Sequence, residues 1–157
     1  MRAPPAPPLS IRPYQLSDWP RLCEIHDRAR IDELRLSADV AAFRSLPRTA
    51  HTEGLFRDRL DVGELDGVVQ GFVAYRRNSL NWLYVHPDCY RRGVGRALLR
   101  HAIAFSGPVF STQALLGNEP ALELYRSEGF VEVERRAGRL AESDEFPAMG
   151  VILERRR

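Results

Sequence analysis

Between Leu60 and Val85 the apolar residues fall in short β-prone runs, whereas on either side they recur at three- and four-residue intervals. Leu60–Leu65 alternates weakly, Asp66-Gly67 is a strong hairpin turn, and Val68–Arg77 is rich in β-branched and aromatic residues. Asn78-Ser79 makes a second turn into Leu80–Val85, which predicts an antiparallel meander of three strands. His86-Pro87-Asp88 breaks the last run, since proline fixes φ and removes a donor. A basic turn with two glycines follows, Tyr90 to Gly95. Beyond it Val94, Ala97, Leu98, Ala102 and Phe105 keep helical spacing until Gly107-Pro108 stops the pattern.

Upstream, residues 1–9 are rich in proline and predict an extended, mobile tail. Ile11–Tyr14 fits a short edge strand, where Pro13 is tolerated. Ser17-Asp18 reads as a helix start with Pro20 in the first turn, and Trp19, Leu22, Cys23, His26 and Ala29 form its buried stripe. His26 on that stripe is expected to pack rather than react. A second helix is expected over Ala38–Ser45, ended by Leu46-Pro47. The acids Asp32, Glu33, Asp39 and Glu53 read as a solvated face.

Downstream, Val109–Ala114 is a strand reached by a crossover, hence parallel to Leu80–Val85. Asn118 is a natural N-cap, Pro120 sits in the first turn of the next helix, and Gly129 ends it. Phe130–Glu134 and Ala148–Leu153 read as strands flanking the acidic loop Ala141–Glu145, and the arginines at 155–157 as a solvated tail.

With 157 residues the chain fits one domain, taken as 10–157. A net charge of +2 argues against a dedicated nucleic-acid binder. There is no lysine, so all 23 basic residues are arginine, which excludes Schiff-base chemistry and a Walker-type phosphate lysine. Cys23 and Cys89 have no metal-ligand spacing and make no disulfide framework, so no metal is expected. No apolar stretch approaches a membrane span, and the N-terminus lacks the apolar core of a secretory signal, so a cytoplasmic protein is expected.

The strand, glycine turn and helix from Leu80 to Ser106 make an anion site by geometry, because a helix start offers unpaired N–H groups and a favourable dipole. A dinucleotide fingerprint would need a third glycine where Leu98 stands.

Two motifs in order carry a resemblance to a known family. Leu83-Tyr84-Val85-His86-Pro87 followed by Tyr90-Arg91-Arg92-Gly93-Val94-Gly95 is similar to the V-x-P and Q/R-x-x-G-x-G/A motif of the GNAT superfamily of N-acetyltransferases. Asn118, Ala121, Tyr125, Gly129 and Phe130 match its N-x-x-A-x-x-x-Y-x-x-x-G-F motif. Tyr90 departs from the pattern, standing where the family has Gln or Arg. The resemblance covers roughly Leu60 to Leu153.

It implies a single α/β (α+β) domain, with a mixed, mostly antiparallel sheet of six or seven strands and helices on both faces. Acetyl-CoA is the implied co-substrate, with its pyrophosphate on the backbone of Arg91, Arg92, Gly93, Val94, Gly95 and Arg96. Pantetheine would lie along Leu83, Tyr84 and Val85, the Val85 N–H serving as oxyanion donor. Asn118 would help fix the cofactor, and Tyr125 would touch it and protonate the departing thiolate. A tyrosine pKa of about 10 against about 8.5 for a thiol suits that role.

The general base is open, with His86, Glu53, or a water held by Ser111 and Gln113 as candidates. The expected acceptor is a small-molecule amine, attacked directly in a ternary complex. The alternatives are a protein N-terminus or peptide, or a non-catalytic acyl-CoA-binding regulatory domain. Monomer and homodimer are both compatible with the pattern.

Overall fold

The computed structural model describes Arg2 and residues 9–157, so the expected proline-rich tail lies almost wholly outside the described residues. Among the described residues seven strands form two antiparallel sheets. The first has the order β1 (Ser10–Pro13), β2 (Arg59–Leu65), β3 (Val68–Tyr75), β4 (Leu80–Val85). The second has the order β5 (Val109–Leu115), β7 (Pro147–Arg156), β6 (Val131–Arg139). An isolated parallel bridge joins Ser79, just before β4, to Ser111 of β5, so the expected parallel pairing of these strands shrinks to that one contact.

Alternation along β3 sorts side chains to two faces, and a bulge in β4 opposite Ala74 and Tyr75 sends Leu80 and Trp82 to different ones. Phe72, Ala74 and Trp82 pack on one side with Leu22 and Ile25 of α1 (Trp19–Ser37) and Leu46 of α2 (Leu46–Thr49). Val73, Tyr75 and Leu80 pack on the other with Leu98, Leu99 and Ala102 of α3 (Val94–Phe105) and Leu122 of α4 (Glu119–Ser127). Helices therefore cover both faces, as the motif resemblance implies.

Three local expectations are corrected. No helix spans Ala38–Ser45; α1 runs on to Ser37, a short 3-10 turn holds Val40–Ala42, and Leu46-Pro47 opens α2 instead of ending a helix. Proline suits the first turn of a helix because its missing N–H is unpaired there anyway. Arg155 and Arg156 belong to β7, and the Arg155 guanidinium donates to the Glu128 carbonyl at 3.0 Å, so the arginine run is not a free tail. Glu33 is not on a solvated face: its carboxylate pairs with Arg30 and accepts from Asn118.

Candidate functional site

Beyond the Ser79–Ser111 bridge and a 3.1 Å bond from the Thr112 hydroxyl to the Leu80 carbonyl, β4 and β5 diverge. The His86 N–H donates to the Gln70 carbonyl at 2.7 Å, and Tyr84 pairs with Phe72. In an antiparallel ladder successive residues turn their backbone groups to opposite sides. The N–H and C=O of Leu83 and Val85 therefore point away from β3, into the opening. On the facing strand the Leu116 N–H donates to the Met149 carbonyl, and the β5–β7 register turns Gln113 and Leu115 toward the same opening. Two strand edges with unpaired backbone groups thus line a wedge, and such groups call for a ligand or water.

The wedge is a cavity of about 910 Å3 that ends on the start of α3. Gly93 precedes the helix at φ +83°, the left-handed region that favours glycine, and no side chain caps the helix. The Ala97 N–H makes the first bond, to the Gly93 carbonyl, so the N–H groups of Val94, Gly95 and Arg96 have no helical partner. No acidic side chain occupies the first turn to compete for them. Arg91, Gly93, Val94, Gly95 and Arg96 all border the wedge. Arg96 does so while held by Glu128 at 2.5 Å and Ser127 at 2.9 Å. Arg92 does not border it; its guanidinium turns to the Cys89 sulfur at 3.9 Å.

Leu83, Tyr84 and Val85 form one wall, and Asn118 and Tyr125 lie opposite. Tyr125 stands one face of α4 inward, 6% exposed, with its ring 5.6 Å from that of Phe130. Burial pushes its hydroxyl up to about 12, offset in part by the Thr112 side chain. Asn118 has two tasks, since its Oδ1 accepts from the Ala121 N–H at 3.4 Å and its Nδ2 donates to Glu33 at 3.2 Å. At the mouth, the Tyr90 hydroxyl donates to Asp32 at 3.2 Å, tying the turn to α1.

Glu33 is the wedge residue that sequence reasoning missed. The available signal was its spacing from Arg30, one helical turn earlier, which marks an ion pair on one helix face.

A second cavity, of about 470 Å3, lies on the other side of Tyr84, which borders both. Glu53, Asn81 and Trp82 border this one. Glu53 is exposed, yet partial desolvation at the cavity raises its carboxyl, with Arg30 opposing the shift and Glu142 adding to it. Of the other base candidates, Gln113 borders the wedge and Ser111 borders neither cavity. His86 is buried in the turn, its Nδ1 accepting from the Asp88 N–H at 3.1 Å and its Nε2 3.0 Å from Arg28. It serves the turn and reaches neither cavity. His26 borders the second cavity but is 3% exposed, stacks edge-on against Tyr84, and is held below the ordinary histidine range by burial.

Comparison with known proteins bears on this arrangement. A family model described as "Acetyltransferase (GNAT) domain" matches residues 57–132. That match takes in the β4, α3, β5 and α4 sides of the wedge but not α1, the α1–α2 connection or the β6–β7 loop beside the second cavity. The chain is 27% identical over 131 residues to "Uncharacterized N-acetyltransferase YafP" of Escherichia coli (strain K12), covering 82% of this chain and 85% of that one. It is 33% identical over 70 residues to "Peptidyl-lysine N-acetyltransferase YiaC" of the same strain, covering 44% of this chain and 47% of that one. Coverage of the curated relatives it matches runs from 22% to 85% of their length.

Among solved structures, the GCN5-related N-acetyltransferase from Rhodopseudomonas palustris aligns with a TM-score of 0.78 at 18% identity, covering 99% of this chain and all of that one. The structure of yncA, from Salmonella typhimurium "with its cofactor Acetyl-CoA", aligns at 0.68 and 19% identity, covering 94% of this chain and 93% of that one. At such identities the likeness is one of fold.

Proposed function

The chain belongs to the GNAT superfamily of N-acetyltransferases, and we propose that it moves an acetyl group from acetyl-CoA to a primary amine by direct attack in a ternary complex. The observation that carries this reading is the convergence on one cavity of an uncapped helix start and two unpaired strand edges. The helix start suits a pyrophosphate, and the strand edges suit the amides of a pantetheine arm. A bound acetyl-CoA in the yncA structure fits the same assignment.

In this mechanism Leu83, Tyr84 and Val85 align the thioester, and the Val85 N–H donates to the oxygen that gains charge as the amine attacks. Loss of one such donor elsewhere costs about 3 kcal/mol in kcat. The new C–N bond forms as the C–S bond breaks. An ammonium acceptor gives up two protons overall; one ends on the CoA sulfur and the other in solvent.

Tyr125 faces the leaving group. Its hydroxyl, pushed up to about 12, is protonated throughout the neutral range. Complete proton transfer to a thiolate with a pKa of about 8.5 would be uphill by roughly 5 kcal/mol. Tyr125 is therefore assigned to donate a hydrogen bond to the departing sulfur, with the proton finally drawn from solvent.

The test is calorimetric titration with acetyl-CoA, followed by thiol release in the presence of amines. Saturable binding that Gly93→Glu abolishes is expected, since that variant sets a carboxylate at the helix start and a side chain at a positive φ. Binding that Gly93→Glu leaves intact would overturn the placement of the cofactor.

A further inference from the structure

The second cavity holds an unusual set of charges. Arg44 and Arg48 border it, as do Glu53 and Glu142. The Arg44 guanidinium donates only to the carbonyls of Phe43, at 2.8 Å, and Ala41, at 3.4 Å. Among the described residues, Arg48, Glu53 and Glu142 take part in no ion pair, although arginine–carboxylate pairs recur over the rest of the surface. The remaining guanidinium, Arg30, is already matched by Glu33 through the wall. Two cations and two anions therefore share one small cavity without meeting.

Their placement is not random. Arg44 and Arg48 belong to the connection after α1 and to α2, whereas Glu142 comes from the loop between β6 and β7. Ala141 and Glu142 are consecutive non-glycine residues at positive φ, 51° and 52°. Backbone held in that region by residues with a Cβ is a mark of functional loops. Glu53 and Glu142 are near enough to feel each other, and two like charges at one cavity rim favour a cation between them. Arg48, Glu53 and Glu142 are exposed and Arg44 is half-buried, so all four are open to solvent, and a ligand that carries both charges can match the set.

We propose that the acceptor is a small zwitterion of the amino-acid class, its carboxylate on Arg44 and Arg48 and its ammonium on Glu53 and Glu142 beside Tyr84. The proposal rests on the acetyltransferase reading and deepens it by naming the acceptor. Tyr84 borders both cavities, so an amine bound beside it lies next to Leu83 and Val85, the strand edge proposed for the thioester. The reaction balances as above: the amine nitrogen gains the acetyl carbon, the thiol leaves, and the acceptor's carboxylate is unchanged. A cavity of about 470 Å3 accommodates one such molecule. A peptide N-terminus offers the amine without the adjacent carboxylate and leaves both arginines unmatched.

The experiment compares free amino acids, their carboxamides, short peptides and polyamines. Two readouts are taken with wild type and with the double variant Arg44→Gln/Arg48→Gln: thiol release with acetyl-CoA, and binding of the amines alone by ligand-observed NMR. Wild type is expected to favour one or more amino acids over the matching carboxamide by roughly tenfold or more in kcat/KM, one charge-assisted contact's worth. The double variant should lose that preference through KM, its kcat/KM falling far more for the free acid than for the carboxamide, a selective loss that misfolding does not produce. Equal use of acid and carboxamide, or preference for peptides or polyamines, overturns the proposal. Absence of acetyl-CoA binding overturns the acetyltransferase reading instead, and the NMR preference for free amino acids still decides the cavity's ligand.

Discussion

Replacing Tyr125 by Phe removes one oxygen from the middle of the wedge and little else. The ring is 6% exposed and packs against Phe130, so the phenylalanine keeps the volume and the apolar contacts. The proposed task of the hydroxyl is a hydrogen bond to a sulfur that becomes anionic. Hydrogen bonds to charged groups are worth about 1.5–3 kcal/mol, which corresponds to roughly 10- to 150-fold in kcat. Before bond breaking the sulfur is neutral, so the affinity for acetyl-CoA should be nearly unchanged. Because burial holds the hydroxyl up at about 12, its titration places no limb on the rate profile of the wild type between pH 6 and about 9. Single-turnover thiol release gives the rate, and calorimetry gives the affinity. A variant with unaltered kcat, or one whose acetyl-CoA affinity falls as far as its rate, refutes the role.

Three further outcomes follow from contacts elsewhere. Asn118→Ala removes the cap of α4 and the Glu33 partner; a loss of about 1 kcal/mol is expected in urea unfolding, and no loss would mean the cap is idle. Tyr75→Phe deletes a 2.6 Å hydrogen bond to the buried Asp61 carboxylate, which His101 also contacts at 2.9 Å. A destabilisation of about 1.5–3 kcal/mol is expected by the same measurement. Arg12 grips Asp18 at 2.8 and 2.9 Å and holds its carboxyl below the usual range. A depressed carboxyl contributes stability above its unfolded pKa of about 3.9 and loses it as pH falls through the folded value. Arg12→Gln should therefore lower Tm at pH 7 and converge on wild type near pH 2, and a pH-independent difference would contradict the linkage.

The meander, the glycine turn and α4 are legible in the sequence because their signals are local. Asp66-Gly67, Gly93 and Gly129 all sit at positive φ in the structure, where a glycine or a turn residue is required. The segment after α1 was not legible, since proline both ends helices and begins them, and Leu46-Pro47 does the second. β6 reaches Arg139, well past Glu134, but nearly every residue along it is exposed, so no alternation marks its length. The wedge could be inferred from two contiguous motifs. The second cavity could not, for its charges come from positions 44, 48, 53 and 142, and only the fold brings them together. Glu33 shows the same limit: a carboxylate on a helix reads as solvated until Asn118, 85 residues away, is found against it.

The links between β4 and β5 are gathered at one end, the Ser79–Ser111 bridge and the Thr112–Leu80 hydrogen bond, and beyond them the two strands part. A ligand lying between Leu83–Val85 and Gln113–Leu115 then stands in for the strand contacts that the chain omits. On the proposed placement it would act as a member of the sheet, and its departure would cost the protein cohesion. Ligand at about a hundredfold excess over its Kd adds about 2.7 kcal/mol to the folded state by mass action. In hydrogen exchange, that stabilisation would be centred on the amides of those two strand ends, where each half of the molecule otherwise faces water.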